Sequence, residues 1–142
     1  MENAPHTKII VGVDGSPQSI EALRYAAPLA KALGHDLEAF ASWLPRIALE
    51  DYTPQWNPEE DARVALDAAI TEAFGADEPE HLTRAVVMGP AAPTLIEASK
   101  QAAMLVMGTR GRGGFKGLLL GSVSSSLAAH AHCPVLIHHG EK

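Results

Sequence analysis

From Gly108 to Ser126 the chain reads GTRGRGGFKGLLLGSVSSS, with five further glycines, three cations and no acid ahead of a serine run. Glycine lets a backbone pass close to a ligand and take positive φ without penalty. Consecutive bare N–H groups, nearby cations and the start of a helix together favour an anion, most often phosphate. The segment therefore has the chemistry of a phosphate cradle. A second candidate is Asp14, which ends an apolar run as Asp14-Gly15-Ser16. A carboxylate at the end of a parallel strand stands where such sheets bind ligands, but the same tripeptide also serves as a plain turn and helix cap.

Such residues need elements to hold them, and the chain supplies alternating strands and helices. Lys8–Val13 (KIIVGV) is a nearly continuous apolar run, as in strands buried on both faces of a parallel sheet. Ser16 can cap a helix with Pro17 at its first position and Gly34 closing it. Ile20, Leu23, Ala27 and Ala30 form its apolar stripe, and Pro28 inside it predicts a bend. Leu37–Trp43 reads as a second strand. Asn57 and Pro58 open a second helix, with Glu59, Glu60 and Asp61 complementing its dipole. Its stripe is Ala62, Leu66, Ala69, Ile70 and Ala73, and Gly75 ends it.

Arg84–Met88 predicts a third strand, Pro93–Gln101 a third helix and Ala103–Met107 a fourth strand. Ser122–His130 predicts a fourth helix and Pro134–His138 a last strand. This alternation implies right-handed crossovers and one open, mostly parallel α/β sheet layered with helices. Ligands of such sheets sit beyond the carboxyl ends of the strands, where strand order reverses. Asp14, Ser42, Gly89 and Gly108 all fall at predicted carboxyl ends.

Bulk properties narrow the function. At 142 residues, one domain spanning 1–142 with an ordinary core is expected. The start, MENAPHTK, has no long apolar run, so neither a signal peptide nor a membrane anchor is expected. Cys133 is the sole cysteine, which excludes an intrachain disulfide and suits a reducing cytoplasm. The net charge of -6 argues against general binding to nucleic acid or anionic membranes, so the loop's cations suit one small anion.

Two familiar phosphate motifs fail. A P-loop needs Gly-Lys-Ser/Thr, but Lys116 stands between Phe115 and Gly117. A dinucleotide fingerprint belongs after the first strand, and Gly111-Arg112-Gly113 has Lys116 where the last glycine should stand. What fits is Gly108-x-x-Gly111, nine residues, then Gly121-Ser122. With IIVGVDGS at Ile9–Ser16 and HCPVLI at His132–Ile137, the chain resembles the universal stress protein family along essentially its whole length.

The resemblance implies a five-stranded sheet in order 3-2-1-4-5, an adenine-nucleotide alpha-hydrolase-like arrangement, with ATP, alone or with Mg²⁺, in the crevice between the first and fourth strands. Carried over by position, Asp14 would lie near the ribose hydroxyls with Gly12 and Val13 beside it, and Ser42 would flank the adenine. Gly108, Thr109, Arg110, Gly111 and Gly114 would line the phosphates from the loop. Gly121, Ser122, Val123 and Ser124 would do so from the start of the last helix. The resemblance also implies a homodimer through antiparallel pairing of the C-terminal edge strand.

Other residues have blander readings. His130, His132, His138 and His139 do not share a face as metal ligands would, and a helix-terminal His130 interacting with the dipole explains itself. Cys133 suits a small buried hydrophobe. Trp43, Tyr52 and Trp56 suit packing better than an adenine platform. Three functions stay open: a nucleotide-binding regulatory protein in stress response, a slow ATPase or self-phosphorylating enzyme with Ser122 or Ser124 as acceptor, and a nucleotide-independent dimeric module. The first is preferred, because the sequence offers phosphate donors but no obvious general base.

Overall fold

Ile9, Ile10 and Val11 have no exposed surface, and they form the middle of strand β1 (Lys8–Gly12) at the centre of the sheet. A strand sandwiched between two helical layers has no polar side, which is why its sequence does not alternate. The computed structural model describes residues 8–45, 57–109 and 121–139. Tyr52, Trp56, Arg110, Gly111 and Gly114 lie outside the described residues.

The remaining elements follow in strict alternation: α1 (Pro17–Leu33), β2 (Asp36–Trp43), α2 (Pro58–Phe74), β3 (Leu82–Met88), α3 (Ala91–Ser99), β4 (Met104–Gly108), α4 (Ser122–His130) and β5 (Val135–His138). The sheet order is β3-β2-β1-β4-β5, and every pairing is parallel. β1 is thus flanked by β2 on one side and β4 on the other, and strand order reverses between β1 and β4.

Side-chain alternation along the strands assigns the two faces. Ile9, Val11, Ala39, Ala41 and Val106 pack with Ile20, Leu23 and Ala26 of α1 and with Leu66 and Ile70 of α2. Ile10, Phe40, Leu105 and Met107 pack on the other face with Leu95 of α3 and Leu127 of α4. Burying one such Leu or Ile side chain is worth roughly 1.5–3 kcal/mol, so each helix is held mainly through its apolar stripe.

The expected helix signals at α1 and α2 operate as local chemistry dictates. The Ser19 N–H donates to Ser16 Oγ (3.2 Å), Pro17 follows the cap, and Gly34 ends α1 in the left-handed region at φ 74°. The Glu60 N–H donates to Asn57 Oδ1 (3.1 Å), and Gly75 stands after the last turn of α2. α1 runs uninterrupted through Pro28, whose side is exposed. Arg24 joins the two helices: its Nε and Nη2 donate to the carbonyls of Ala73 and Glu72 (3.2 and 3.0 Å) in the last turn of α2.

Some boundaries differ from the sequence expectation. α3 begins at Ala91 rather than Pro93, after a turn in which Gly89 takes φ 134°. Pro93 is accommodated in the first turn, where its missing N–H would have no intrahelical partner. β3 begins at Leu82 rather than Arg84. Arg84 is polar for a strand, but Asp67 and Glu78 hold its guanidinium at 2.7 and 3.1 Å. Glu78 first and Asp67 second raise its pKa further above the usual arginine range. At the opposite edge, the Tyr25 ring of α1 lies against the His138 ring of β5, with centroids 4.8 Å apart.

Candidate functional site

The reversal of strand order leaves a crevice where β1 and β4 turn away to helices on opposite faces. It opens as a cleft of about 290 Å³ lined by residues from the ends of β1, β2 and β4 and from all four helices or their caps, near the lower end of the range usual for small-molecule sites, about 300–1,000 Å³. Of the residues the sequence singled out, Gly12, Val13, Asp14, Ser42, Gly108, Gly121, Ser122, Val123 and Ser124 all border this one cleft. Thr109 is buried immediately behind Gly108. Arg110, Gly111 and Gly114 belong to the span outside the described residues.

The β1 side is a tight turn built from its own side chains. The Ser16 N–H donates to Asp14 Oδ1 (2.9 Å), and the Asp14 N–H donates to Ser19 Oγ (3.3 Å). The Ser19 hydroxyl in turn donates to the Ser16 carbonyl (3.0 Å). Gly15 takes φ 84°, a conformation that disfavours other residues. Asp14 is therefore both a turn residue and a carboxylate exposed at the cleft. The turn that Asp14 helps to close thus also leaves this residue bordering the cleft.

The β4 side is arranged differently. Gly121 stands at the cap position of α4 with φ -73° and ψ 170°, and α4 has no side-chain cap. The first helical hydrogen bond runs from the Ser125 N–H to the Gly121 carbonyl (2.9 Å). The N–H groups of Ser122, Val123 and Ser124 precede it and so point out of the helix start. Ser122 is exposed, whereas Ser124 is buried and its hydroxyl donates to the Gly108 carbonyl (2.6 Å). That contact corrects one expectation: a hydroxyl so enclosed and engaged is a poor acceptor for self-phosphorylation, leaving Ser122 as the reachable one.

The glycines of the site have separate reasons. A Cβ on Gly108 would stand 2.9 Å from Gln18 Cβ and 3.1 Å from the Gln18 carbonyl carbon and oxygen, so α1 itself requires a glycine there. A Cβ on Gly12 would meet the Met107 sulfur at 2.7 Å and its methyl at 2.8 Å. A thioether end can swing aside at modest cost, whereas helix backbone cannot.

Sequence reasoning missed the apolar walls. Phe40, Leu95 and Met107 floor the cleft, and Ala62, Ala65 and Leu66 bring α2 to its side. Their types differ in no way from ordinary core residues, so only the packing reveals them. Ser19 did carry a signal, standing three residues after a capping serine. Asp14 is the one ionisable group among the described lining residues.

The other candidates fall away from the cleft. Among the described residues, no cluster of three or more His, Cys, Asp or Glu side chains could hold a metal, and no helix is long and apolar enough to cross a membrane. Burial pushes the Cys133 thiol up from its usual pKa, opposed in part by the Leu105 backbone. It is thus kept as thiol, as a small packing group would be.

Comparison with known proteins agrees with this geometry. The family model described as the universal stress protein family matches residues 5–139. A universal stress protein of Mycobacterium tuberculosis is 37% identical over 142 residues, covering 94% of this chain and 48% of its own length. One from Mycolicibacterium smegmatis is 37% identical over 130 residues, covering 91% of this chain and 44% of its own. The chain thus spans about half the length of these curated relatives. Among solved structures, a universal stress protein in complex with cAMP superposes with a TM-score of 0.74 at 26% identity, covering 97% of this chain and 100% of that one. A universal stress protein from Archaeoglobus fulgidus in complex with dAMP has a TM-score of 0.65 at 16% identity, covering 94% and 98% of the two chains, and shares the fold. With this sheet order, this cleft and these matches, the chain belongs to the universal stress protein family.

Proposed function

We propose that the chain binds an adenine nucleotide, ATP foremost and with or without Mg²⁺, at the carboxyl ends of β1 and β4, and that binding biases a conformation or partner surface in a stress response. The observation that carries this reading is the start of α4. Three amides with no side-chain cap border a cleft whose other described lining is apolar groups, Ser19, Ser42 and one carboxylate, a combination that fits phosphate at one end and a ribose diol at the other. Family membership and the cAMP complex of the 26% identical protein support an adenylate.

In this reading Asp14 takes the ribose hydroxyls, with Gly12 and Val13 beside it, and Ser42 flanks the base. Gly108, Thr109, Arg110, Gly111 and Gly114 line the phosphates from the loop, and Gly121 to Ser124 from α4. The loop's three cations, Arg110, Arg112 and Lys116, favour a polyphosphate over a single phosphate. Turnover would need a group to activate the attacking water. The described lining offers only Asp14, at the ribose end, so binding rather than rapid hydrolysis is the proposed role. The β5 edge is the proposed surface for a second copy, and a two-chain mass by light scattering at micromolar concentration is the expected result.

Calorimetry and thermal shift with ATP, ADP, AMP, GTP and adenosine test the site. The adenylates should raise the melting temperature by linkage, ATP most. Arg110→Ala should weaken ATP by about tenfold, the worth of one charge-assisted contact, and leave adenosine unchanged. No shift with any nucleotide at millimolar concentration would sink the nucleotide reading in favour of a nucleotide-independent module.

A further inference from the structure

The residues from Gly121 to Ser124 are chemically divided. The Gly121 N–H donates to the carbonyl of Thr109. Three residues later the Ser124 hydroxyl, 3% exposed, donates to the Gly108 carbonyl at 2.6 Å. These two bonds join the last residues before the glycine-rich loop to the first residues after it. Both are accepted by backbone carbonyls at and just past the end of β4, where Gly108 is paired with His138 of β5.

We infer that the Gly121 amide and the Ser124 hydroxyl form a neck clamp that fixes the start of α4 against the end of β4, and that the Ser124 hydroxyl acts as a positioning group while the amides of Ser122, Val123 and Ser124 face the phosphates. The inference rests on the nucleotide reading above and refines it. An amide already donating to Thr109 has no second proton for a phosphate oxygen. A serine hydroxyl donating to Gly108 has likewise committed its one proton. Their effect on the ligand is therefore indirect: they set where the unengaged amides point. A few tenths of an ångström matter there, because hydrogen bonds weaken steeply with misalignment.

Three variants of the full chain test the clamp. Ser124→Ala removes the hydroxyl and should weaken ATP by roughly tenfold, about the worth of one buried hydrogen bond, with adenosine affinity unchanged. Ser124→Thr keeps the hydroxyl and should restore the ATP-to-adenosine ratio, and Ser124→Cys offers a smaller fallback donor should the extra methyl disturb folding. A merely structural serine would lower the melting temperature and leave that ratio alone, which would overturn the inference. Amide hydrogen exchange without ligand separates it from the nucleotide reading. The Gly121 amide should be protected in the wild type, and Ser124→Ala should speed its exchange by roughly tenfold. A Gly121 amide exchanging at open-chain rates would overturn the clamp even if ATP binds, and one that is protected and released by Ser124→Ala would uphold the clamp itself even if ATP does not bind.

Discussion

Helices α1 and α4 both begin at the cleft, yet their starts are chemically opposite. At α1 the cap Ser16 accepts the Ser19 N–H, Pro17 supplies no N–H, and Asp14 takes the Ser16 N–H. At α4 the cap is Gly121, which has no side chain to offer, and the buried Ser124 hydroxyl is turned back to Gly108. Each helix start carries a partial positive charge of about half a unit. In α1 that charge is satisfied within the chain, and in α4 it is left facing the cleft. The difference teaches that the cap residue decides whether a helix start stabilises the fold or is available to an anion.

The largest expected effect comes from abolishing the difference. Gly121→Asp gives α4 its own cap, and the backbone there (φ -73°) accepts any L residue. It also sets a carboxylate where phosphate is proposed, and like charges about 4 Å apart repel by about 4 kcal/mol in partly shielded surroundings. ATP affinity should fall by roughly three orders of magnitude, measured by calorimetry, while the melting temperature holds or rises. Normal ATP binding in this variant would break the comparison.

Gly108→Ala probes the packing between the two starts. The added methyl would press on Gln18 backbone, and such overpacking costs about 1–3 kcal/mol, read by urea denaturation. Gly12→Ala should cost less, because Met107 can yield. The smallest effect is expected at α1 itself. Ser16→Ala removes a cap worth about 1 kcal/mol, lowering stability with ATP affinity held within about twofold. If Ser16→Ala instead cut ATP affinity as sharply as Gly121→Asp, the two starts would not differ in role.

The local part of this arrangement was legible in the residues. Ser16-Pro17 and Asn57-Pro58 marked helix starts, Gly34 and Gly75 marked ends, and Gly108-x-x-Gly111 with Gly121-Ser122 marked the family. The start of α3 was not legible. Gly89-Pro90 moved it ahead of Pro93, and nothing local distinguishes a proline that opens a helix from one in its first turn. The cleft walls were not legible either, since Phe40, Leu95, Met107 and Leu66 carry no chemical mark beyond being apolar.

By itself the sequence determined the alternation of strands and helices, the doubly buried central strand and the placing of glycines and an acid at strand ends. Those follow from periodicity, capping chemistry and backbone freedom, all of which act within a few residues. Only the tertiary structure decided that Gly108 is a glycine because of Gln18, that Ser124 serves β4 rather than the solvent, and that α2 walls the site. Each depends on contacts between segments far apart in the chain, where the partner's identity is set by packing and not by the residue's own type.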